Sequence, residues 1–525
     1  MKNNDNQSTS RKHLFLALAI LFMSTYGFAS DYVIAVRSAT LDDKGWRNVV
    51  EKLKAKHQGA VIQYENRLDE ILPQLQAINP RYLCLVMTPQ DATRDAVITI
   101  NQLTRQIDDD PYGDVIWGIV TGYTPGFALK MASVSRMDIR RGLGKTQVNW
   151  LRYLDSGAYF SEAVKNHKYE KSSGRELRKV PGPSDTTVQI VNAINSGQVD
   201  IMWTSGHASE RDWEMGWAFR DGKFFTQNGQ LKAHDTTGRE YYVQSHHPMV
   251  YYAPGNCLIG HINNPQDCMA LSWIRAGACQ FAGYTRESWY GYMGWGVGDY
   301  FFLLKDRFTF AESVYLNNQA LLFDLEHKTP GINEQGHLYD RDVFVLYGDP
   351  ALKVRIVPTA ELPLYSQELT FEEIGQGQYR VKFSVRMEKD GKVSRPAAAF
   401  FPQKIFSVSG LETNSYKADT SDNFILMMLT PPSQQELSAG EERYVTFIAS
   451  TEKTETPVEK KEDIKTPSFE PLQEFTFEDE LTDWKVYSTS FEEQILPEWK
   501  SDYHGKRGVA ILDSFFRRND EWARG

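Results

Sequence analysis

Four short apolar runs, at residues 31–37, 60–64, 82–87 and 115–120, alternate with stretches of helical spacing at 46–57, 68–78 and 93–107. No other feature of the chain limits its fold as tightly. In the first helical stretch Trp46, Val49, Val50 and Leu53 recur at the three- and four-residue intervals that share one helix face. The run at 82–87 is apolar without interruption, as a strand covered on both faces must be. Strand and helix in strict alternation imply right-handed βαβ units. The expected fold over residues 30–357 is therefore α/β, a mostly parallel sheet with helices on both faces.

Further along, the pattern is less regular. Residues 127–141 read as a helix, and the charged stretch 142–180, broken by Ser-Ser-Gly at 172–174, reads as an insertion or an exposed processing loop. A helix at 186–196 leads into the apolar run 199–203. Two more apolar runs, at 249–252 and 278–284, bracket a short helix at 267–276. Helices expected at 297–304 and 312–325 precede a last strand near 343–347. After Val357 the character changes. Residues 378–385 alternate, 424–429 and 443–448 are apolar, and turn signals such as Asp390-Gly391 separate them. That is the signature of an all-β sandwich at 358–450. Residues 451–471, rich in Lys, Glu, Thr and Pro, read as a disordered linker. Residues 472–525 form a short aromatic-bearing segment without an assigned role.

A net charge of -10 supplies no basic field for nucleic acid, so that class of partner is excluded. Lys2, Arg11 and Lys12 precede an apolar core at 14–22, and Gly27-Phe28-Ala29 places small residues at a cleavage site. Residues 1–29 are thus expected to be a signal peptide cut after Ala29. The apolar core is short for a membrane span. The mature chain is expected to be secreted or held in the cell envelope, with no span of its own. Four cysteines (Cys84, Cys257, Cys268 and Cys279) are too few for a disulfide framework in an exported chain of 525 residues.

Two of the apolar runs end in reactive side chains. His207 follows the run beginning at 199, and Cys257 follows the run beginning at 249. Parallel sheets collect function beyond the carboxyl ends of their strands, so neighbouring strands would bring the two to one edge. A thiol beside an imidazole is the pair needed for acyl transfer, with the imidazole favouring thiolate and then protonating the leaving amine. A glycine-histidine pair alone carries little weight, and a cysteine after an apolar run is commonly core. Cys279 is the rival nucleophile, in Gly277-Ala278-Cys279-Gln280, but it lies one residue into an apolar run, where a buried thiol is inert. The spacing of Cys257, Cys268 and Cys279 matches no compact metal-ligand pattern.

Taken together, Ser205-Gly206-His207, Cys257 with Gly260, the helix at 267–274, Gly277-Ala278, Thr285-Arg286-Glu287-Ser288-Trp289 and Gly348-Asp349-Pro350 resemble the gingipain family of cysteine endopeptidases, in the caspase–haemoglobinase superfamily. The resemblance implies that Cys257 is the nucleophile and His207 the general acid/base. It implies an oxyanion hole built from the backbone N–H groups of Cys257 and Ala208, and an immunoglobulin-like module at 358–450. The family has glycine where this chain has Ala208, and a positive φ there would not suit alanine. Asp114 falls near where the family places acidic pocket or histidine-orienting residues, and Trp289 is similar to a tryptophan lining its specificity pocket. Both are substrate-binding candidates; otherwise they are a strand-start aspartate and a packed aromatic.

The implied activity is hydrolysis of peptide bonds in protein or peptide substrates through a thioester acyl-enzyme. It needs no metal or organic cofactor, and a structural calcium ion is compatible with an exported chain of this kind. Two other readings stand beside it. One is a catalytically impaired relative acting as a surface or secretion-associated interaction protein. The other is a precursor that cuts itself at 142–180 or 451–471. Residue preference and oligomeric state are not legible.

Overall fold

The computed structural model describes residues 31–434 and 436–452. The expected signal peptide, the linker beyond residue 452 and the segment 472–525 lie outside them. The first unit follows the alternation in the sequence: β1 (Tyr32–Arg37), α1 (Lys44–His57), β2 (Ala60–Tyr64), α2 (Leu72–Ile78), β3 (Tyr82–Val86), α3 (Arg94–Thr104) and β4 (Ile116–Val120). Asp43 starts α1 by accepting from the N–H groups of Gly45 and Trp46, and Thr93 starts α3 by accepting from Ala96. The strands pair in parallel in the order β2-β1-β3-β4.

The second unit runs α4 (Pro125–Ser133), β5 (Arg136–Ile139), β6 (Arg141–Thr146), β7 (Ser156–Ser161), β8 (His167–Lys171), β9 (Arg178–Pro181), α5 (Thr187–Asn195) and β10 (Ile201–Gly206). A small antiparallel sheet follows, of β11 (Asp212–Glu214), β12 (Lys223–Gln227), β13 (Gln230–His234) and β14 (Glu240–Tyr242). Then come β15 (Met249–Asn256), α6 (Met269–Ala276), β16 (Ala278–Tyr284), α7 (Tyr292–Phe301), α8 (Phe310–Glu326), α9 (Glu334–Asp340), β17 (Phe344–Gly348) and β18 (Lys353–Ile356). The large sheet has twelve strands in the order β2-β1-β3-β4-β17-β16-β15-β10-β6-β7-β8-β9. It is mostly parallel. The exceptions are β17, antiparallel to β16, and the β7-β8-β9 edge. β17 meets β4 at a single pair, Tyr347 with Ile119.

Two expectations are corrected. The helix foreseen at 127–141 stops at Ser133. Beyond it Met137 and Ile139 are buried while Arg136 and Asp138 are exposed, a period of two, and this strand pairs with β18. The stretch 142–180 is no loop: β6 lies beside β10 in the large sheet, and β7 to β9 extend it. Glycine in a strand marks close approach of another group. A Cβ on Gly142 or Gly144 would come within 2.7 or 2.5 Å of the Trp203 ring. The residues that let Trp203 pack are the ones that hide the strand.

Side chains alternate between two cores. Val250 and Tyr252 of β15 join the cluster containing α7 and α8, whereas Met249, Tyr251 and Ala253 join the one containing α1, α3, α5 and α6. Helices therefore cover both faces. After β18 the strands are β19 (Tyr365–Gly375), β20 (Gln378–Met387), β21 (Gly391–Lys392), β22 (Ala397–Phe400), β23 (Ser407–Thr413), β24 (Lys417–Thr420), β25 (Phe424–Met428), β26 (Glu436–Leu437) and β27 (Glu442–Ser450). They form separate antiparallel sheets, chiefly β19-β20-β27-β23 and β22-β25-β24. This β module docks on α7 and α8. The Arg395 guanidinium lies 3.7 Å from the Tyr292 ring centre and donates from Nε to Asn317 Oδ1 at 3.2 Å, and the Tyr300 hydroxyl donates to the Pro396 carbonyl at 2.7 Å. Among the described residues no helix is long and apolar enough to cross a membrane.

Candidate active site

β10 and β15 are parallel neighbours whose register pairs Ser205 with Gly255 and Gly206 with Asn256. His207 and Cys257 occupy the next position on each strand. Adjacent strands lie about 4.8 Å apart, so the two residues leave the sheet side by side. Gly206 has φ +108°, and a Cβ there would sit 3.0 Å from both Glu162 Oε2 and the Glu214 carbonyl. After Cys257 the chain turns sharply. Leu258 is left-handed at φ 58°, an uncommon state for a residue with a side chain. Two backbone bonds hold it: its N–H donates to the Arg286 carbonyl at 2.9 Å, and its carbonyl accepts from His261 at 2.9 Å.

Asn256, fully buried, was not singled out from the sequence. Its Nδ2 donates to the Gly206 carbonyl at 3.2 Å, and its Oδ1 accepts from Thr204 Oγ1 at 2.7 Å. The Tyr251 hydroxyl closes the set, 2.8 Å from Thr204 Oγ1. One amide thus clasps the two strands immediately before they release the histidine and the cysteine. A buried asparagine needs several partners, but neither its burial nor those partners are visible in the sequence.

The half-buried Cys257 thiol meets one residue through two groups. The Ser288 N–H donates to Sγ at 3.3 Å, and Ser288 Oγ lies 3.5 Å from Sγ. Burial raises the thiol pKa, both Ser288 contacts lower it, and Glu287 adds a small rise. Among the described residues no hydrogen bond joins Cys257 to His207. The imidazole stacks on Trp217, with ring centres 4.6 Å apart, and burial lowers its pKa against the opposing charge of Glu214. At neutral pH the resting pair is an uncharged thiol and an uncharged imidazole.

Ala208 is not strained; the positive φ belongs to Gly206. Ser209 N–H donates to the Asp212 carbonyl at 2.9 Å and Glu214 N–H to the His207 carbonyl at 2.8 Å, on either side of the Ala208/Trp213 bridge. In an antiparallel pair of that type the middle residue turns its own N–H away from its partner. The Ala208 N–H is therefore directed outward without needing a glycine. Trp289 follows Ser288, is 46% exposed and stacks on Tyr339 with ring centres 5.7 Å apart. Cys279 points into the core with Sγ 2.9 Å from Met137 Sδ, and burial pushes its thiol up to about 12. Cys268 is equally buried and is pushed up to about 12.

Asp114 has other company. It precedes β4, three strands from β15 in the sheet order. Asp108, Asp110 and Asp114 each offer an oxygen within 4.8 Å of the others. Asp114 is 2% exposed, neither of its carboxylate oxygens has a hydrogen-bond partner, and its backbone carbonyl accepts from Asn423 of the β module at 3.0 Å. Burial first, then Asp108 and Asp110, push its pKa up to about 10, and burial pushes Asp110 up to about 7. An all-oxygen set with an uncompensated buried carboxyl suits a hard cation such as calcium.

Residues 131–355 match the model of peptidase family C25, the gingipain family. The matched span starts within α4 and ends in β18, and so contains His207, Cys257, Ser288 and Trp289. No curated protein matches the chain.

Proposed function

We propose, taking residues 131–355 as a cysteine peptidase domain of family C25, that the protein is an exported endopeptidase with Cys257 as nucleophile and His207 as proton carrier. The observation that carries this reading is their common position one step beyond paired residues of two parallel strands. When a peptide binds, Cys257 Sγ bonds to the scissile carbonyl carbon and its proton passes to His207. The carbonyl oxygen becomes an oxyanion facing the N–H groups of Ala208 and Cys257. The C–N bond then breaks, His207 protonates the leaving amine, and a thioester remains. Water, deprotonated by His207, attacks the thioester, and the carboxylic product leaves with the thiol restored. Trp289 flanks the bound chain as a pocket wall.

The flanking parts are read accordingly. Residues 1–29 direct export, the β module is an immunoglobulin-like sandwich, and Asp108, Asp110 and Asp114 hold a structural calcium ion. Asp114 is thereby assigned to the cation and not to the substrate pocket. The peptidase test is incubation of the reduced, mature chain with a mixed peptide library, read by mass spectrometry beside Cys257→Ala. New peptide ends from the wild type alone support the reading. No cleavage by a wild type whose Cys257 still alkylates overturns it in favour of an inactive interaction protein, which the separated thiol and imidazole would suit. For the ion, calcium should raise the melting temperature more at pH 8 than at pH 5, because protons compete for the same carboxylates. An equal melting temperature with calcium and with chelator at pH 8 would remove it.

A further inference from the structure

We propose that Ser288 is a third catalytic residue, whose N–H and hydroxyl hold the Cys257 sulfur and stabilise it as thiolate. Its purpose rests on the peptidase reading; its test does not. Ser288 is the only residue among those described that forms hydrogen bonds with Sγ, and it offers two donors, at 3.3 and 3.5 Å. Its position is set before any substrate arrives. Thr285 N–H donates to the Val343 carbonyl at 2.8 Å, the Arg286 carbonyl accepts from Leu258 at 2.9 Å, and Arg94 Nε donates to the Thr285 carbonyl at 2.8 Å. The segment after β16 is thus tied to Val343 just ahead of β17, to the turn after Cys257 and to α3.

Donors fixed in this way favour charge on sulfur without carrying charge themselves. That matters here because the imidazole is stacked on Trp217, is uncharged at rest and makes no bond to the thiol. On ionisation the proton leaves Sγ for His207 or for water. The Ser288 hydroxyl, able to accept from S–H beforehand, rotates to donate to S⁻. The backbone N–H donates in both states. The labour divides: Ser288 stabilises the sulfur anion, and His207 moves protons.

The test is the rate of alkylation of Cys257 by iodoacetamide in the full chain as a function of pH, with the modified residue located by mass spectrometry. Cys84, Cys268 and Cys279 are 0%, 0% and 3% exposed and contribute little in the folded protein. Ser288→Ala, confirmed folded by its melting curve, should move the midpoint up by about one pH unit and slow alkylation about tenfold at neutral pH. Ser288→Thr keeps both donors and should stay within about twofold of wild type. His207→Ala should move the midpoint by less than Ser288→Ala does. A Ser288→Ala profile that superimposes on wild type overturns the proposal. So does a His207→Ala profile displaced as far as that of Ser288→Ala. A wild type that alkylates with the expected Ser288 dependence yet cleaves no peptide upholds the role of Ser288 and defeats the peptidase reading alone.

Discussion

The run β2-β1-β3-β4 and the run β16-β15-β10-β6 are both parallel, and they are filled differently. Val33 to Val36 and Leu83 to Val86 are fully buried, and every one is apolar. In the second run, and in β7 beside it, Lys145, Thr146, Ser161, Thr204, Ser205, Asn256 and Gln280 are buried as well, mostly where strands end. Burying polar groups costs free energy unless each finds a partner. Here the partners are found in one another: Ser205 donates to Glu162 at 2.6 Å, and Lys145 donates to Asp221 at 2.8 Å and to the Ser161 carbonyl at 3.0 Å. The first run is a support whose only demand is burial. The second accepts a polar interior because side chains must be aimed.

If that division is right, chemistry and stability separate by region. The largest effect is expected for Cys257→Ala and His207→Ala, which should lower peptide turnover by on the order of 10⁴-fold or more. Their unfolding free energies should stay within about 1 kcal/mol of wild type. In the first run Leu85→Ala should do the reverse. It empties a fully buried site in β3 and should cost about 2–5 kcal/mol in denaturant unfolding, with turnover per folded molecule unchanged. A parallel fall in turnover would mean that the two runs act as one.

Glu162 gives a smaller, pH-dependent effect. Burial holds its folded pKa at about 7, against an ordinary 4.5, and the contact with Ser205 lowers it only in part. Below pH 4.5 the carboxyl is protonated in both folded and unfolded chains and costs nothing. Between 4.5 and 7 the unfolded chain releases its proton while the folded one keeps it, so stability falls with rising pH; above 7 the loss is complete. Glu162→Gln should therefore gain about 1–3 kcal/mol over wild type at pH 8 and nothing at pH 4, measured by urea unfolding. The smallest change is expected for Cys279→Ala, about 1 kcal/mol of stability with unaltered alkylation of Cys257. A lost label would show that the wrong sulfur had been assigned.

The same contrast governs what the sequence discloses. β1, β3 and β4 were legible because their burial is nearly uniform, and β2 because its short apolar run stands between two stretches of helical spacing. His207 and Cys257 were legible as strand-end residues, since the end of an apolar run survives in sequence. β6 was not, because Gly142 and Gly144 answer to Trp203, a residue of another strand. Asn256 and Ser288 were passed over for the same reason: an amide or hydroxyl declares its role only through the distant group it meets. Ala208 shows the converse. Its outward N–H comes from the bridge to Trp213, so the glycine expected at 208 has no work to do, and the left-handed turn falls on Gly206 instead.

Arg395 sets an order in time. The ribosome reaches it only after all of residues 131–355 have been made. Until then Tyr292 and Asn317 lack the guanidinium that fills the space between them, and α7, the helix that follows Trp289 in the chain, has one side bare. A chain ended at Val357 is expected to expose α7 and α8 to limited proteolysis, whereas the full chain resists. The span that matches peptidase family C25 therefore completes the packing of α7 only after the β module that follows it has been made.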